Sequence, residues 1–264
     1  MPFHQSGAIR YYSFESLSDA RVAHAAFTRR GGASPQPWSS LNVGSTVGDD
    51  PGNVQENRLR AFRTFNRPFA SLFDVWQVHG TEVVYADAPR PPEQAHQKAD
   101  AILTDRPGVT LFMRFADCVP IYLYDPIHKV VGLVHAGWLG TVRQAAAVAI
   151  QAMQARYGSR PQDLLAGIGP SIAAHHYEVG SEVIAQVRGA FGPEASGLLL
   201  SSNGAGSDDH ALLDLWAANR LVLERAGVRN IEIAGICTAC YLDDWYSHRG
   251  EKGQTGRFGA MIAL

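Results

Sequence analysis

A layered α/β fold with a mixed sheet is what this sequence predicts, on three observations. Short apolar runs separated by turn residues crowd one central region. Amphipathic runs with a helical period flank it, and the two kinds of run mix without strict alternation. The central runs are residues 100–104, 110–115, 119–124 and 129–134, rich in Val, Ile, Leu and aromatics and punctuated by Arg106-Pro107-Gly108 and Asp125-Pro126. Connections this short favour antiparallel neighbours, because a parallel pair needs a crossover of roughly a dozen residues.

The flanking elements follow in order. Residues 53–65 predict a helix ahead of the strand region. Beyond Trp138 the period changes: Thr141 stands where it can cap a helix running to Tyr157, with Gly158 just past its end. Residues 181–191 predict another helix. A further one over 210–226 repeats apolar residues at Leu212, Leu215, Trp216, Val222 and Leu223 and stops at Gly227. Late strands are expected over 164–168, 231–236 and 258–263. The Pro/Gln-rich piece 90–97 and the Ser/Gly-rich piece 201–209 read as surface loops too short to separate domains, so residues 1–264 are expected to form a single domain.

Composition excludes several classes. Hydrophobic residues make up 46% of the 264 and charged residues 18%, a globular balance rather than a disordered or fibrous one. A chain of this length buries roughly three quarters of its unfolded surface, so a metal is not needed merely to fold it. A net charge of −2 and a pI near 6.5 give no concentrated basic face for nucleic acid. No basic start followed by an apolar run opens the sequence, and no stretch approaches roughly 18 apolar residues, so neither a leader nor a membrane partner is expected. The cysteines are Cys118, Cys237 and Cys240. An odd, small number without a secretory leader points to free thiols and a cytoplasmic setting. The sequence does not set the oligomeric state.

Three metal-capable side chains stand at the ends of apolar runs. His79 closes Asp74-Val75-Trp76-Gln77-Val78, Cys118 sits in the turn Ala116-Asp117-Cys118-Val119-Pro120, and His135 ends residues 130–134 before Ala136-Gly137-Trp138. Two imidazoles and a thiolate suit Zn²⁺, and three protein ligands leave a fourth position open. The separations match no local ligand motif, so spacing alone leaves a second reading open: a buried thiol and two histidines satisfied by backbone groups.

Gln77-Val78-His79-Gly80, Ala116-Asp117-Cys118-Val119-Pro120 and Val134-His135-Ala136-Gly137-Trp138 closely resemble blocks of the YfiH family, also called the laccase-domain, polyphenol-oxidase or peptidoglycan editing factor family. Further similar blocks are Phe27-Thr28-Arg29-Arg30-Gly31-Gly32, Ser40-Leu41-Asn42-Val43-Gly44, Glu56-Asn57-Arg58, Ile168-Gly169-Pro170-Ser171, Tyr246-Ser247-His248-Arg249-Gly250 and Gly256-Arg257. The resemblance implies an α/β/β/α sandwich with mixed sheets, zinc on His79, Cys118 and His135, and action on purine nucleosides. That action is phosphorolysis of adenosine, inosine, guanosine and methylthioadenosine, with hydrolytic deamination of adenosine.

It implies rival activities too, which the residues weigh. A copper-dependent polyphenol oxidase needs a histidine-rich trinuclear cluster beside its type 1 copper, and the ten histidines include no His-x-His pair. Copper therefore stands as the alternative ion rather than the expected one. Deamination fits one zinc, with Asp117 as the acid/base group or merely the cap of its turn. The zinc-deaminase signature, His-x-Glu followed by Pro-Cys-x-x-Cys, is absent. Phosphorolysis calls for cations on phosphate: Arg58 first, with Arg29 and Arg249 behind it, while Asn42 and Gln77 are candidates for sugar or base. A metal-free alternative makes Cys118 a thiolate nucleophile served by His79 or His135, as in an amidase editing peptidoglycan precursors. Cys237-Thr238-Ala239-Cys240, lacking a second pair, is weak as a zinc ribbon and reads as structural.

Overall fold

The computed structural model describes residues 2–201 and 209–264. Of the expected loop over 201–209, residues 202–208 lie outside the described residues. In chain order the first strands are β1 (Phe3–Ser6), β2 (Ile9–Tyr12), β3 (Ala23–Phe27), β4 (Leu72–Phe73) and β5 (Val83–Tyr85). The central ones are β6 (Ala101–Thr104), β7 (Thr110–Phe115), β8 (Val119–Asp125), β9 (Val130–Ala136) and β10 (Leu165–Ile168). The late ones are β11 (Glu178–Gly180), β12 (Leu199–Leu200), β13 (His210–Leu213), β14 (Asn230–Ile233) and β15 (Phe258–Ala263). The helices are α1 (Glu15–Asp19), α2 (Pro51–Thr64), α3 (Trp138–Val142), α4 (Ala145–Tyr157), α5 (Ser181–Phe191), α6 (Ala195–Leu198) and α7 (Leu215–Arg225).

Two six-stranded mixed sheets form the body, ordered β1-β2-β3-β15-β7-β4 and β14-β10-β8-β9-β6-β5, with a small sheet β11-β13-β12 beside them. The period of two along each strand decides the layers. In β8, Val119, Ile121 and Leu123 join a cluster with α4 and α7. Tyr122 and Tyr124 turn the other way and share a cluster with Met113, Phe258 and Ala260 of the first sheet. On that sheet's outer face Ala25, Phe27, Phe112 and Met261 cluster with Ala61 and Phe62 of α2. The order is helix, sheet, sheet, helices: an α/β/β/α sandwich.

The central runs do not all neighbour one another. Only β8 and β9 form the expected hairpin, antiparallel from Val119↔Ala136 to Asp125↔Val130. β7 belongs to the first sheet and pairs with β15, whereas β6 pairs with β9 in the second. The turns after β6 and β7 therefore cross between sheets. Strands buried on both faces carry no alternation to reveal this.

Three other expectations change. Thr141 lies inside α3, where its hydroxyl donates to the Gly137 carbonyl at 2.9 Å, and the helix breaks at Gln144, held in the left-handed region at φ 61°. Residues 210–213 are strand rather than helix: they pair with both β11 and β12, and α7 begins only after Asp214, which accepts from Ala217 N at 2.9 Å. The run before His79 forms no ladder and makes a single bridge at Trp76↔Lys98. By contrast α2 starts earlier than expected, because Asp50 accepts from the Gly52 and Asn53 amides at 2.8 and 3.2 Å and Pro51 fills the first helical position.

Candidate metal centre

Two of the crossings between sheets, after β4 and after β7, deliver donors to one end of the sandwich. His79 stands on the connection from β4 to β5, Cys118 on the turn from β7 to β8, and His135 points from β9 toward the space between the sheets. The donor atoms of the three all lie within 4.8 Å of one another, and Cys118 Sγ is 3.9 Å from His79 Nε2.

Two carboxylates hold this geometry. Asp100 is fully buried; it accepts from the amides of Val78, His79 and Gly80 at 3.2, 3.0 and 2.6 Å, and its Oδ1 lies 2.7 Å from His135 Nδ1. One carboxylate thus fixes the positive-φ turn at His79 (φ 59°) and the ring of His135. Asp117, at φ 81°, does the same for the Cys118 turn. Its Oδ1 accepts from Thr238 and Ser247 hydroxyls, both at 2.7 Å, and its Oδ2 from Arg249 N at 2.6 Å. With these three donors bound, Asp117 ties the Cys118 turn to the segment that carries Thr238, Ser247 and Arg249.

Electrostatics prepare the sulfur. Burial pushes the Cys118 thiol up, but the His135 imidazolium and hydrogen bonds from His135 and His79 overcome it and hold the thiol well below its ordinary value. Burial likewise opposes charge on His135, and the Cys118 thiolate with Asp100 outweighs it, raising that imidazole. Asp100 is held low despite burial by hydrogen bonds from His135 and the Gly80 and Val78 amides. A thiolate is the form of cysteine that binds metal, and an imidazole backed by a carboxylate is the usual outer support of a zinc ligand. The residues therefore fit the ion their donor set implies. Gly137 leaves them room: a Cβ there would stand 2.8 Å from Cys118 Sγ.

The donors open on a cleft of about 480 Å³ lined also by Trp76, Gln77, Arg114, Tyr177, Arg249 and Arg257. Arg257 donates through Nη1 to the carbonyls of Thr255 and Gly256 at 3.2 and 2.8 Å, and Arg249 to that of Glu178 at 3.0 Å. Among the described residues neither guanidinium makes a direct ion pair; Arg257 feels the Cys118 thiolate and the Asp117 carboxylate through space. Arg114 is different, set 3.4 Å from the buried Asp74 and bonded to the Val75 carbonyl.

Other candidates do different work. Arg58 gives Nε and Nη2 to the Val43 carbonyl at 3.0 and 2.9 Å and lines a separate pocket with Arg90 and Phe69. Arg29 is spent on Glu251, Ser39 and Leu242. Asn42 is buried and saturated, donating to Gly44 O and Asp49 and accepting from the amides of Gly44 and Arg257. Gln77 does line the cleft, but its amide pairs with the backbone of Arg114 in both directions, at 2.9 and 3.0 Å. Sequence reasoning missed Asp100, Arg257 and Tyr177. The signal for Asp100 was a carboxylate opening an apolar strand, since a buried charge needs partners. Arg257 was visible only as part of a Gly-Arg block.

The family described as multi-copper polyphenol oxidoreductase laccase matches residues 23–264. The chain is 39% identical over 246 residues to a purine nucleoside phosphorylase of Deinococcus radiodurans, covering 92% of this chain and 89% of the relative. It is 34% identical over 245 residues to the purine nucleoside phosphorylase YlmD of Bacillus subtilis, covering 90% and 86%. In structure it resembles the hypothetical protein YfiH of Bacillus licheniformis (TM-score 0.91, 32% identity, 100% and 99% covered) and YlmD of Geobacillus stearothermophilus (0.90, 33%, 99% and 98%). With a family match over nearly its whole length and relatives of this similarity, the chain belongs to the laccase-domain family that includes YfiH and YlmD.

Proposed function

We propose that this chain is a zinc-dependent purine nucleoside phosphorylase, with His79, Cys118 and His135 as the zinc ligands and adenosine deamination as a second activity. Relatives that carry the phosphorylase name support the reaction. One observation in the site carries it: two guanidiniums without a direct carboxylate partner, Arg249 and Arg257, line the same cleft as the donor triad. An oxyanion substrate answers that charge, and arginine grips phosphate through paired N–H groups. In phosphorolysis a phosphate oxygen bonds to C1′ of the ribose while the C1′–N9 bond breaks and the purine leaves with its electron pair and a proton. The arginines hold the phosphate and orient its attacking oxygen. Trp76, 47% exposed at the cleft, and Tyr177 offer ring faces for the purine, stacking worth roughly 1–3 kcal/mol. Zinc, when bound, supplies Lewis-acid character among these groups; copper is the alternative ion. The three free thiols support a reducing, cytoplasmic setting, and one 264-residue unit is the proposed domain.

A second reading rests on a specific arrangement: Cys118, His135 and Asp100 stand as a thiol, an imidazole and the carboxylate orienting it, the set a cysteine amidase of peptidoglycan precursors uses. Product analysis separates them. Zinc-loaded protein with adenosine should release adenine only when phosphate is present, and inosine by deamination. Cys118→Ala should lose both. Cys118→Asp, which can still ligate zinc but is no thiol nucleophile, should keep part of the turnover. No purine product from the wild type, with release of an amino acid from a muropeptide, overturns the phosphorylase reading.

A further inference from the structure

A second group of metal-capable side chains gathers outside the cleft. His175, His176, Cys237 and Cys240 place one donor atom each within 4.8 Å of all the others. Two stretches far apart in sequence supply them: the turn Ala174–His176 and the loop after β14. The backbone runs these stretches side by side, through a parallel bridge Ser171↔Cys237 and a bond from Thr238 N to the Ser171 carbonyl at 3.1 Å. His175 Nε2 is 3.0 Å from Cys240 Sγ, and the Ala173 amide donates to Cys237 Sγ at 3.4 Å.

Apolar burial does not explain the convergence, because His175, His176 and Cys240 are exposed and only Cys237 is buried. The donor chemistry does. Tetrahedral zinc, with Zn–S near 2.3 Å and Zn–N near 2.0–2.1 Å, sets its ligand atoms roughly 3.3–3.8 Å apart. Contraction from 4.8 Å to that range is within reach of small side-chain rotations on an exposed rim. Two thiolates and two imidazoles complete a tetrahedron, and this set differs from the triad in leaving no position for a substrate.

We propose that His175, His176, Cys237 and Cys240 bind a second, structural Zn²⁺ that clamps two walls of the active cleft together. Its binding displaces the two thiol protons to solvent and forms four bonds from the protein to the ion. The placement gives it a purpose. Tyr177 follows His176 directly and lines the cleft, and Arg249 lies over its ring, 5.1 Å from the centroid. Thr238 follows Cys237 and donates to Asp117, whose other oxygen holds the Arg249 amide. One ion would thus fix both the side-chain and backbone supports of Arg249. The inference does not depend on which reaction the cleft performs.

The test is metal content of the full chain, loaded with zinc and dialysed against metal-free buffer, read by elemental analysis. Wild type should keep two zinc ions per chain, Cys240→Ser one, Cys118→Ser one and the double variant none. X-ray absorption at the zinc edge of Cys118→Ser should show two sulfur and two nitrogen neighbours. His176→Asn, a change at an exposed side chain, gives the same reading should Cys240→Ser fail to fold. A single ion in wild type, lost from Cys118→Ser and kept by both Cys240→Ser and His176→Asn, overturns the proposal. So does a wild-type mass showing Cys237 and Cys240 joined as a disulfide while the zinc content stays at one.

Discussion

Asp100 supports two of the candidate metal ligands at once, since it binds the backbone that presents His79 and the ring of His135. Asp100→Asn keeps the shape but replaces an acceptor oxygen with an amide that must face three N–H donors or His135. Zinc affinity is expected to fall roughly 10- to 100-fold, the usual cost of removing such a support. A chelator competition titration measures it, and affinity equal to wild type would sink the role given to Asp100. Arg257→Gln tests the proposed phosphate site in the same manner. A charge-assisted hydrogen bond is worth about 2 kcal/mol, so KM for phosphate should rise about 30-fold while KM for the nucleoside changes little. A rise confined to the nucleoside would place Arg257 on the other substrate. That the sequence ranked Arg58 ahead of Arg29 and Arg249 and passed over Arg257 has a physical cause: a sequence block reports that a guanidinium exists, and only folding reports which cleft it lines.

Helices and strands were legible where their signals are local. α5 and β15 fall at residues 181–191 and 258–263 as expected, because a helical apolar period between Gly180 and Gly192 determines the first and an unbroken short apolar run after Gly256-Arg257 the second. β13 was lost because its apolar residues continue in phase with those of α7, and only Asp214 marks the change. Asp214→Ala should therefore cost about 1 kcal/mol, lowering Tm by roughly 2–4 °C in a chain of this size; an unchanged Tm would mean that α7 is held by packing alone. A second element-level prediction concerns β3. His24 is buried and neutral, its Nε2 accepting from Phe14 N at 2.8 Å and its Nδ1 donating to the Val22 carbonyl at 2.9 Å, which ties β3 to the start of α1. Burial is the largest cause lowering its pKa in the folded state. The contribution is thus complete above the unfolded value near 6.5 and lost as pH falls through the folded one. Denaturant midpoints should decline from pH 7 toward pH 5, and His24→Asn should flatten that decline; a wild-type profile level over this range would contradict the assignment.

At the scale of the molecule, the site exists because the crossings after β4 and after β7 meet at one end of the sandwich. Each sheet keeps its own hydrogen-bond ladder, and the donors belong to the seam: His79 and Cys118 ride on the crossings and His135 comes from the second sheet's inner face. The strand pattern told which residues are buried but not which sheet buries them, so the triad could be named from the family blocks and its position could not. A bound ion would bridge the seam that otherwise holds by apolar contact between the sheets and by the Tyr122 hydroxyl, which donates to the Ala25 carbonyl at 2.8 Å. Anything that binds the folded chain alone stabilises it by RT ln(1 + [L]/Kd), about 2.7 kcal/mol at a hundredfold excess over Kd, which corresponds to a Tm rise of roughly 5–11 °C. Zinc added to chelator-treated protein should produce a shift of that order. Cys118→Ala should remove the part due to the seam and Cys240→Ser the part due to the second cluster; because the Thr238–Asp117 bond links the two sites, the double variant should depart from the sum of the two losses. Adding zinc to Cys118→Ala with the full wild-type shift would show that the triad does not join the two sheets through an ion.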